Sequence, residues 1–291
     1  MDMFADVRMG RAVACDSLLR LMDDMSASIA RNPHALISIA RFKSKDEYTY
    51  LHSVAVAALM IGLARQYGFA DEQVRLAGLA GLLHDVGKAV IPLEVLNKPG
   101  RLTEAEFAIM RGHPAAGHEL LKTWPDLPSE VLDVCLHHHE KVDGSGYPFK
   151  LAGDDISIIA RMGAICDVYD AITSNRPYKN GWDPAESLSQ MASWKGHFDP
   201  ELLRMFIQML GIYPVGSLVR LSSDRLAVVV EQGEKSLLTP KLSVFYSVKM
   251  RQTLPARPLD LAHPATKEII VSRESPEKWG FTGLERLWLA D

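Results

Sequence analysis

The sequence predicts a mainly α protein: a helical bundle followed by a small β-rich C-terminal appendage. Three observations carry this. Apolar residues recur at helical spacing from Arg11 to about Leu210. Ser44-Lys45-Asp46-Glu47 and Thr103-Glu104-Ala105-Glu106 match capping boxes that open helices. After Gly211 the pattern changes to short Val- and Leu-rich runs separated by turn signals. The division expected is an N-terminal helical segment over 1–45, a helical domain over 46–211 and a β-rich appendage over 212–291.

The first helix spans Arg11 to Ala30, with Leu18, Leu19, Leu21, Met22 and Met25 at spacings that suit one face. Asn32-Pro33 interrupts it, and a short apolar segment runs from Leu36 to Phe42. The Ser44 capping box starts a helix reaching about Gln66, before Gly68. Its uncharged stretch from Val54 to Ala64 is about half of what a membrane span needs, so it reads as a buried helix. Asp71 opens the next helix, which ends near the Gly87 break. The Thr103 helix carries His113, and Ser129 caps a helix ending at the histidine run. Asp143 to Pro148 must be a loop. A helix from Ser157 to Thr173 follows, then shorter ones around Glu186–Met191 and Pro200–Leu210. Strands are expected over Ser217–Ser222, Arg225–Glu231 and Leu242–Val248.

The chain has 291 residues, 47% of them hydrophobic and 23% charged, with a net charge of -4. That balance suits a globular protein and disfavours a broad surface for DNA or RNA polymers. Cys15, Cys135 and Cys166 are too few and scattered for a disulfide framework or a thiolate zinc site, which points to the cytoplasm. The N-terminus lacks the basic flank and apolar stretch of a signal peptide, and no segment is long enough to span a membrane.

Seven of the ten histidines fall between His52 and His139. His84-Asp85-Val86-Gly87-Lys88 is the strongest local signal. Neighbours on a helix point about 100° apart, so His84 and Asp85 share a metal only if the backbone turns there. An imidazole with a carboxylate suits Fe, Mn or Zn better than Ca or Mg. His52 lies 32 residues before His84, His113 lies 29 after it, and Asp167 lies 28 beyond His139. Each falls on a different expected helix, so a bundle can bring them to one centre. Three consecutive side chains, His137, His138 and His139, cannot all face that centre from a regular helix; two converge if the helix frays or if two metals lie side by side. Glu140 suits a partner for a ligand imidazole. His34, His118, His197 and His263 read as surface residues. Cys135 and Cys166 read as small buried hydrophobes.

These motifs, with His138-His139-Glu140-Lys141-Val142-Asp143-Gly144-Ser145-Gly146-Tyr147-Pro148, Asp167 to Thr173 and Arg176-Pro177-Tyr178-Lys179, resemble the HD-GYP family of the HD hydrolase superfamily. The resemblance covers about Tyr48 to Leu210 and implies an HD-type helical bundle that hydrolyses cyclic di-GMP. It implies His52, His84, Asp85, His113, His138, His139 and Asp167 as metal ligands, with Asp85 bridging two divalent ions, iron or manganese. It implies Lys88 at the scissile phosphate, Arg176 and Lys179 gripping phosphate oxygens, and the loop bearing Gly146 and Tyr147 beside the substrate. Asp170, one turn after Asp167, is then a polar support residue. Some members bind a third metal through a Glu four residues before the position of His52. Here that residue is Tyr48, whose phenol ionises near pH 10, so a binuclear site is expected, with linear pGpG as product and further hydrolysis to GMP as the alternative.

Two such metals would bind phosphate oxygens and lower the pKa of water, so that hydroxide is the nucleophile expected to attack phosphorus in line. Asp85 and Lys88 are then the catalytic pair, with Lys88 neutralising charge or protonating the leaving ribose oxygen. Arg176 suits bidentate phosphate binding and Lys179 adds a point charge. Gly144-Ser145-Gly146 is not a GxGxxG fingerprint, since no strand precedes it and the third glycine is absent. Alternatives are a phosphodiesterase for another cyclic dinucleotide, such as cyclic GMP-AMP, and an inactive receptor or scaffold. The N-terminal segment fits an adaptor, a homodimerisation helix, a contact for a regulatory protein or a truncated remnant. Its apolar face also fits packing on the protein's own core.

Overall fold

In the computed structural model the described residues are 15–31, 48–174, 181–233 and 236–288. They form two units: Met1–Gly181 with Gln190–Phe206, and Trp182–Ser189 with Ile207–Asp291. The expected Ser44 capping box and the Leu36–Phe42 segment lie outside the described residues. No described helix is long and apolar enough to cross a membrane.

The first unit is built on α2 (Tyr48–Tyr67) and α3 (Asp71–Leu83). Almost every residue of α2 from Ala55 to Ala64 is buried, so the apolar run is buried all round. Its partner α3 approaches closely because Gly78 and Gly81 carry no side chain: a Cβ at Gly81 would lie 2.9 Å from the Ala57 Cα. The N-terminal helix α1 (Cys15–Arg31) packs on α3 through Leu18, Met22, Met25 and Ile29, while Leu19 and Leu21 stay half-exposed. Its buried face thus meets the protein's own core. Each Leu, Ile or Met buried this way contributes roughly 1.5–3 kcal/mol.

After α3 the chain turns at His84 and Asp85 into a 3₁₀ segment, Val86–Val90, then a short α4 (Leu93–Leu96). Thr103 caps α5 (Glu104–Met110) through the expected capping box with Glu106. The single helix expected to carry His113 is in fact two. It stops at Met110, and His113 opens α6 (His113–Leu121), because Pro114 lacks the N–H a continuing helix needs. Helix α7 (Ser129–His137) begins one residue earlier than a Ser129 cap would place it: Pro128 is the N-cap and Ser129 already belongs to the first turn. The helix expected from Ser157 to Thr173 is α8 (Ile158–Thr173), and Ser157 is its cap, accepting from the Ala160 N–H. Helices α9 (Pro184–Ser193) and α10 (Pro200–Leu210) complete the helical part.

The second unit holds a five-stranded antiparallel sheet in the order β4-β3-β2-β1-β5. Its strands are β1 (Leu218–Leu221), β2 (Arg225–Glu231), β3 (Lys241–Ser247), β4 (Gln252–Asp260) and β5 (Ile270–Arg273). Alternation along β2 sends Ala227 and Val229 to one apolar face, and Leu226 and Val228 to the other. The second face is covered by Trp279, Phe281, Leu284, Leu287 and Trp288. Strands β4 and β5 were not among the expected strands; β4 contains Pro255 and Pro258, residues tolerated where no ladder N–H is needed, and it is an edge strand.

One contact in the first unit sets the position of the helices that matter below. Gly87 lies flat against α6: a Cβ there would fall 2.0 Å from the His113 carbonyl oxygen and 2.5 Å from the Gly117 nitrogen. Gly117 in turn faces the Cys135 sulfur, which a Cβ would approach to 2.7 Å. This close stacking draws the start of α6 against the turn that follows His84 and Asp85. We predict that Gly87→Ala destabilises the protein by about 1–3 kcal/mol, read as a lower urea midpoint, because backbone rather than a flexible side chain must move.

Candidate metal centre

Seven side chains from five segments of the first unit converge. His52, His84, Asp85 and Asp167 form one group; His113, His138 and His139 form another. Within each group one donor atom per residue lies within 4.8 Å of all the others. Those of the first group are buried, as are His113 and His138; His139 is partly exposed. The helix end after α3 makes the His-Asp pair possible. His84 keeps helical dihedrals, while Asp85 moves to φ -100°, ψ 8°, so the two neighbours point to one place.

Three of the imidazoles are aimed by their own turn of backbone. His84 Nδ1 lies 2.7 Å from the Gly81 carbonyl oxygen, His113 Nδ1 2.8 Å from that of Met110, and His138 Nδ1 3.0 Å from that of Cys135. A carbonyl only accepts, so each Nδ1 carries a hydrogen, and in the neutral ring each Nε2 presents a lone pair. His52 lies within α2 and is held from another helix, with its Nδ1 2.5 Å from Asp170 Oδ2. Asp170 is therefore a support for a ligand candidate. Such a partner fixes ring orientation and raises basicity.

The four Nε2 atoms surround the Asp85 carboxylate. Oδ2 lies 3.3 Å from His84 Nε2 and 3.4 Å from His52 Nε2. Oδ1 lies 3.1 Å from His113 Nε2 and 3.8 Å from His138 Nε2. Asp167 adds Oδ1 at 3.0 Å from His52 Nε2 and Oδ2 at 3.8 Å from His139 Nδ1. His84 Nε2 and Asp85 Oδ1 are buried with no hydrogen-bond partner. Buried acceptors facing one another are costly unless a proton or a metal cation lies between them. A nitrogen-and-carboxylate donor set of this kind fits a divalent transition metal, and Asp85, a member of the first group, turns its Oδ1 toward the second.

Charge follows the same geometry. Burial opposes a charge on His138 and His139 and holds both neutral, His139 down to about 3. Burial also opposes a charge on His52 and His84, but the neighbouring carboxylates overcome it, raising His84 to about 9. For Asp85 burial pushes upward, yet Lys88 and His84 hold it well below the usual carboxylate range. Lys88 Nζ lies 2.5 Å from Asp85 Oδ2 and remains partly exposed, so it reaches from the carboxylate toward solvent.

The run of three histidines is apportioned by the end of α7. His138 is its C-cap and His139 follows, and both turn inward. His137 instead pairs with Asp133 at 2.7 Å and packs near Phe149. Glu140 was expected to support a ligand imidazole and does something else. Its buried carboxylate accepts from the Phe149 N–H at 2.6 Å and the Leu151 N–H at 3.1 Å. Gly146 is pressed on the same segment: a Cβ there would lie 2.5 Å from the Glu140 Cα. Together these hold Tyr147 with its ring centroid 4.7 Å from that of His139.

Arg176 and Lys179 lie outside the described residues, as do His34 and the side chain of Tyr48. His118 pairs with Glu119 and His263 is exposed, as expected. His197 is not a plain surface residue; it is half-buried between Trp194 and Phe198. Cys135 and Cys166 are buried thiols. Sequence reasoning passed over Arg111, whose guanidinium carbon lies 4.9 Å from the Tyr147 ring centroid. Its one signal was a cation two residues before His113.

A helical unit with an His-Asp turn and histidines from neighbouring helix ends defines a metal-centre protein of the HD class. The HD domain family matches residues 25–202. The chain is 54% identical over 286 residues to cyclic di-GMP phosphodiesterase PA4108 of Pseudomonas aeruginosa, covering 98% of this chain and 69% of that protein. It is 38% identical over 186 residues to the cyclic di-GMP phosphodiesterase response regulator RpfG of Xanthomonas campestris pv. campestris, covering 62% of this chain and 49% of that one. It is 36% identical over 192 residues to 3'3'-cGAMP-specific phosphodiesterase 2 of Vibrio cholerae, covering 65% and 36%. The chain thus spans about half or less of these last two relatives. Among solved structures, Bd1817, an HDG"Y"P protein from Bdellovibrio bacteriovorus, shares the fold with a TM-score of 0.58 at 22% identity, over 71% of this chain and 66% of that one. The chain belongs to the HD domain family.

Two outcomes are expected. Asp170→Ala frees His52 and weakens metal binding about 10–100-fold, measured by titrating metal into metal-depleted protein. Glu140→Ala releases the loop, so the Phe149 and Leu151 amides exchange hydrogen faster while those of α2 do not.

Proposed function

We propose that this protein is a metal-dependent phosphodiesterase that opens cyclic di-GMP to linear pGpG. The observation that carries the reading is the Asp85 carboxylate, whose two oxygens each face a different pair of imidazoles. Two ions held there, iron or manganese, would supply Lewis acidity toward phosphate oxygens and lower the pKa of water.

The chain's own residues perform the rest. His52, His84, Asp85 and Asp167 hold one side of the centre; Asp85 with His113, His138 and His139 holds the other. Asp170 keeps His52 turned toward it. Lys88, partly exposed beside Asp85, meets the scissile phosphate and balances charge on the departing ribose oxygen. Arg176 and Lys179 add cations for phosphate oxygens. Tyr147 forms the wall beside His139, held by the Glu140 and Gly146 contacts.

Cyclic di-GMP is favoured over a mixed cyclic dinucleotide by the 54% identity to a named cyclic di-GMP phosphodiesterase, which runs over 98% of the chain. The cGAMP-specific relative aligns at 36% over a smaller share. Two metals rather than three are favoured by Tyr48 where a third ion needs a carboxylate. The test is a substrate panel of cyclic di-GMP, 3'3'-cGAMP and pGpG with metal-loaded protein and chromatographic product identification. Cyclic di-GMP is expected to be turned over fastest, pGpG to accumulate, and about two metal equivalents to be present. Asp85→Ala and His84→Ala should each lower turnover by more than about 100-fold, the cost of losing one preorganised electrostatic group. Intact turnover in either variant, or faster hydrolysis of pGpG than of cyclic di-GMP, overturns the reading.

A further inference from the structure

We propose that Arg111 binds the substrate phosphate that is not being cleaved. The inference rests on the phosphodiesterase reading above and assigns a substrate contact outside the metal centre.

Arg111 is the C-cap of α5, two residues before His113. Its guanidinium carbon lies 4.7 Å from the Phe107 ring centroid and 4.9 Å from that of Tyr147. The Tyr147 ring in turn lies 4.7 Å from the His139 ring, tilted by only 30°. A contiguous row of planar groups therefore runs from the metal centre to an exposed cation.

Among the described residues no carboxylate pairs with this guanidinium, although the chain is acidic overall. Its contacts with the two rings engage the cation through π faces and leave the N–H donors in the plane unused. A free surface arginine loses rotamer freedom when it binds a ligand; one already packed on two rings loses less. Tyr147 is itself fixed, because its N–H donates to the His139 carbonyl at 3.2 Å and its loop is tied to Glu140. Burial and the charges of Asp167 and Asp85 push the Tyr147 phenol upward, which keeps it neutral and places it in the field of the centre.

A cyclic dinucleotide carries two phosphodiesters on opposite sides of one ring. With one phosphate at the metals beside Lys88, the other projects away from them toward the rim. It needs a cation there that is displaced from the centre and free of acidic partners. A guanidinium with an in-plane donor pair suits two phosphate oxygens.

The experiment compares wild type, Arg111→Ala and Arg111→Lys, each metal-loaded, on cyclic di-GMP, 3'3'-cGAMP and bis(p-nitrophenyl) phosphate, which has one phosphate and no second. Arg111→Ala is expected to raise KM for both cyclic dinucleotides by roughly tenfold or more. That rise should exceed any change on bis(p-nitrophenyl) phosphate by a similar factor. Arg111→Lys should recover only part of it, since a point charge cannot stack or bind in a fork. Metal content of about two equivalents in all three proteins excludes displacement of His113. An unchanged KM for cyclic di-GMP overturns the inference, as does an equal loss on bis(p-nitrophenyl) phosphate. A loss on cyclic di-GMP that is absent on 3'3'-cGAMP also overturns it, because that outcome makes Arg111 a reader of guanine. Failure of wild-type protein to hydrolyse either cyclic dinucleotide instead defeats the phosphodiesterase reading on which this rests.

Discussion

The rest of the first unit depends on one constraint: a single buried carboxylate, Asp85, faces four imidazole nitrogens. That arrangement is unfavourable unless a cation, a proton or a metal ion, lies between the acceptors in this low-dielectric interior. It holds because the helices carrying the groups are packed for independent reasons. Helix α2 is buried all round, α3 meets it through glycines, and Gly87 lies flat on Gly117. Apolar packing therefore supplies the stability, and the convergence of donors stores an affinity for a cation. This division of labour is what binding sites in helical bundles require.

Much of this was legible in the sequence. Ligand candidates at intervals of about thirty residues, each on a different expected helix, already implied one centre. The break at Gly87 implied that His84 and Asp85 turn together. Helical spacing left open which two of His137, His138 and His139 turn inward, because that depends on which residue ends α7; only the family resemblance named His138 and His139. The role of Glu140 was not legible either. Its partners, the amides of Phe149 and Leu151, lie nine and eleven residues away and carry no side-chain signature. In the appendage, β4 and β5 were not among the expected strands, and only the order of strands in space reveals that β4, with Pro255 and Pro258, lies at an edge.

The loop from Lys141 to Leu151 illustrates how rigidity is built without regular structure. Gly144 N–H donates to Lys141, Ser145 N–H to the Asp143 carboxylate, and Tyr147 N–H to His139. Asp143 N–H donates to Gly196, so the loop is also tied to the segment after α9. A loop whose amides are this fully engaged presents its side chains from a fixed frame. Tyr147 gains its place from that frame and Arg111 gains its place from Tyr147. The metal side of the cleft and its outer rim are thereby joined through ring contacts rather than through charge.

The pointing of His84, His113 and His138 by carbonyls three residues back has a consequence for how such a centre tolerates change over evolutionary time. Each of these imidazoles takes its aim from its own turn, so a helix that slides or tilts as a rigid body carries its donor along correctly oriented. Insertions in the connections between helices alter position without altering aim. A single residue inserted within the turn before one of these histidines removes the carbonyl that holds the ring and rotates the side chain away. His52 follows the opposite rule: its aim comes from Asp170 on another helix, so it is sensitive to the register of α2 against α8. The centre thus combines three donors insulated from drift in tertiary packing with one that monitors it.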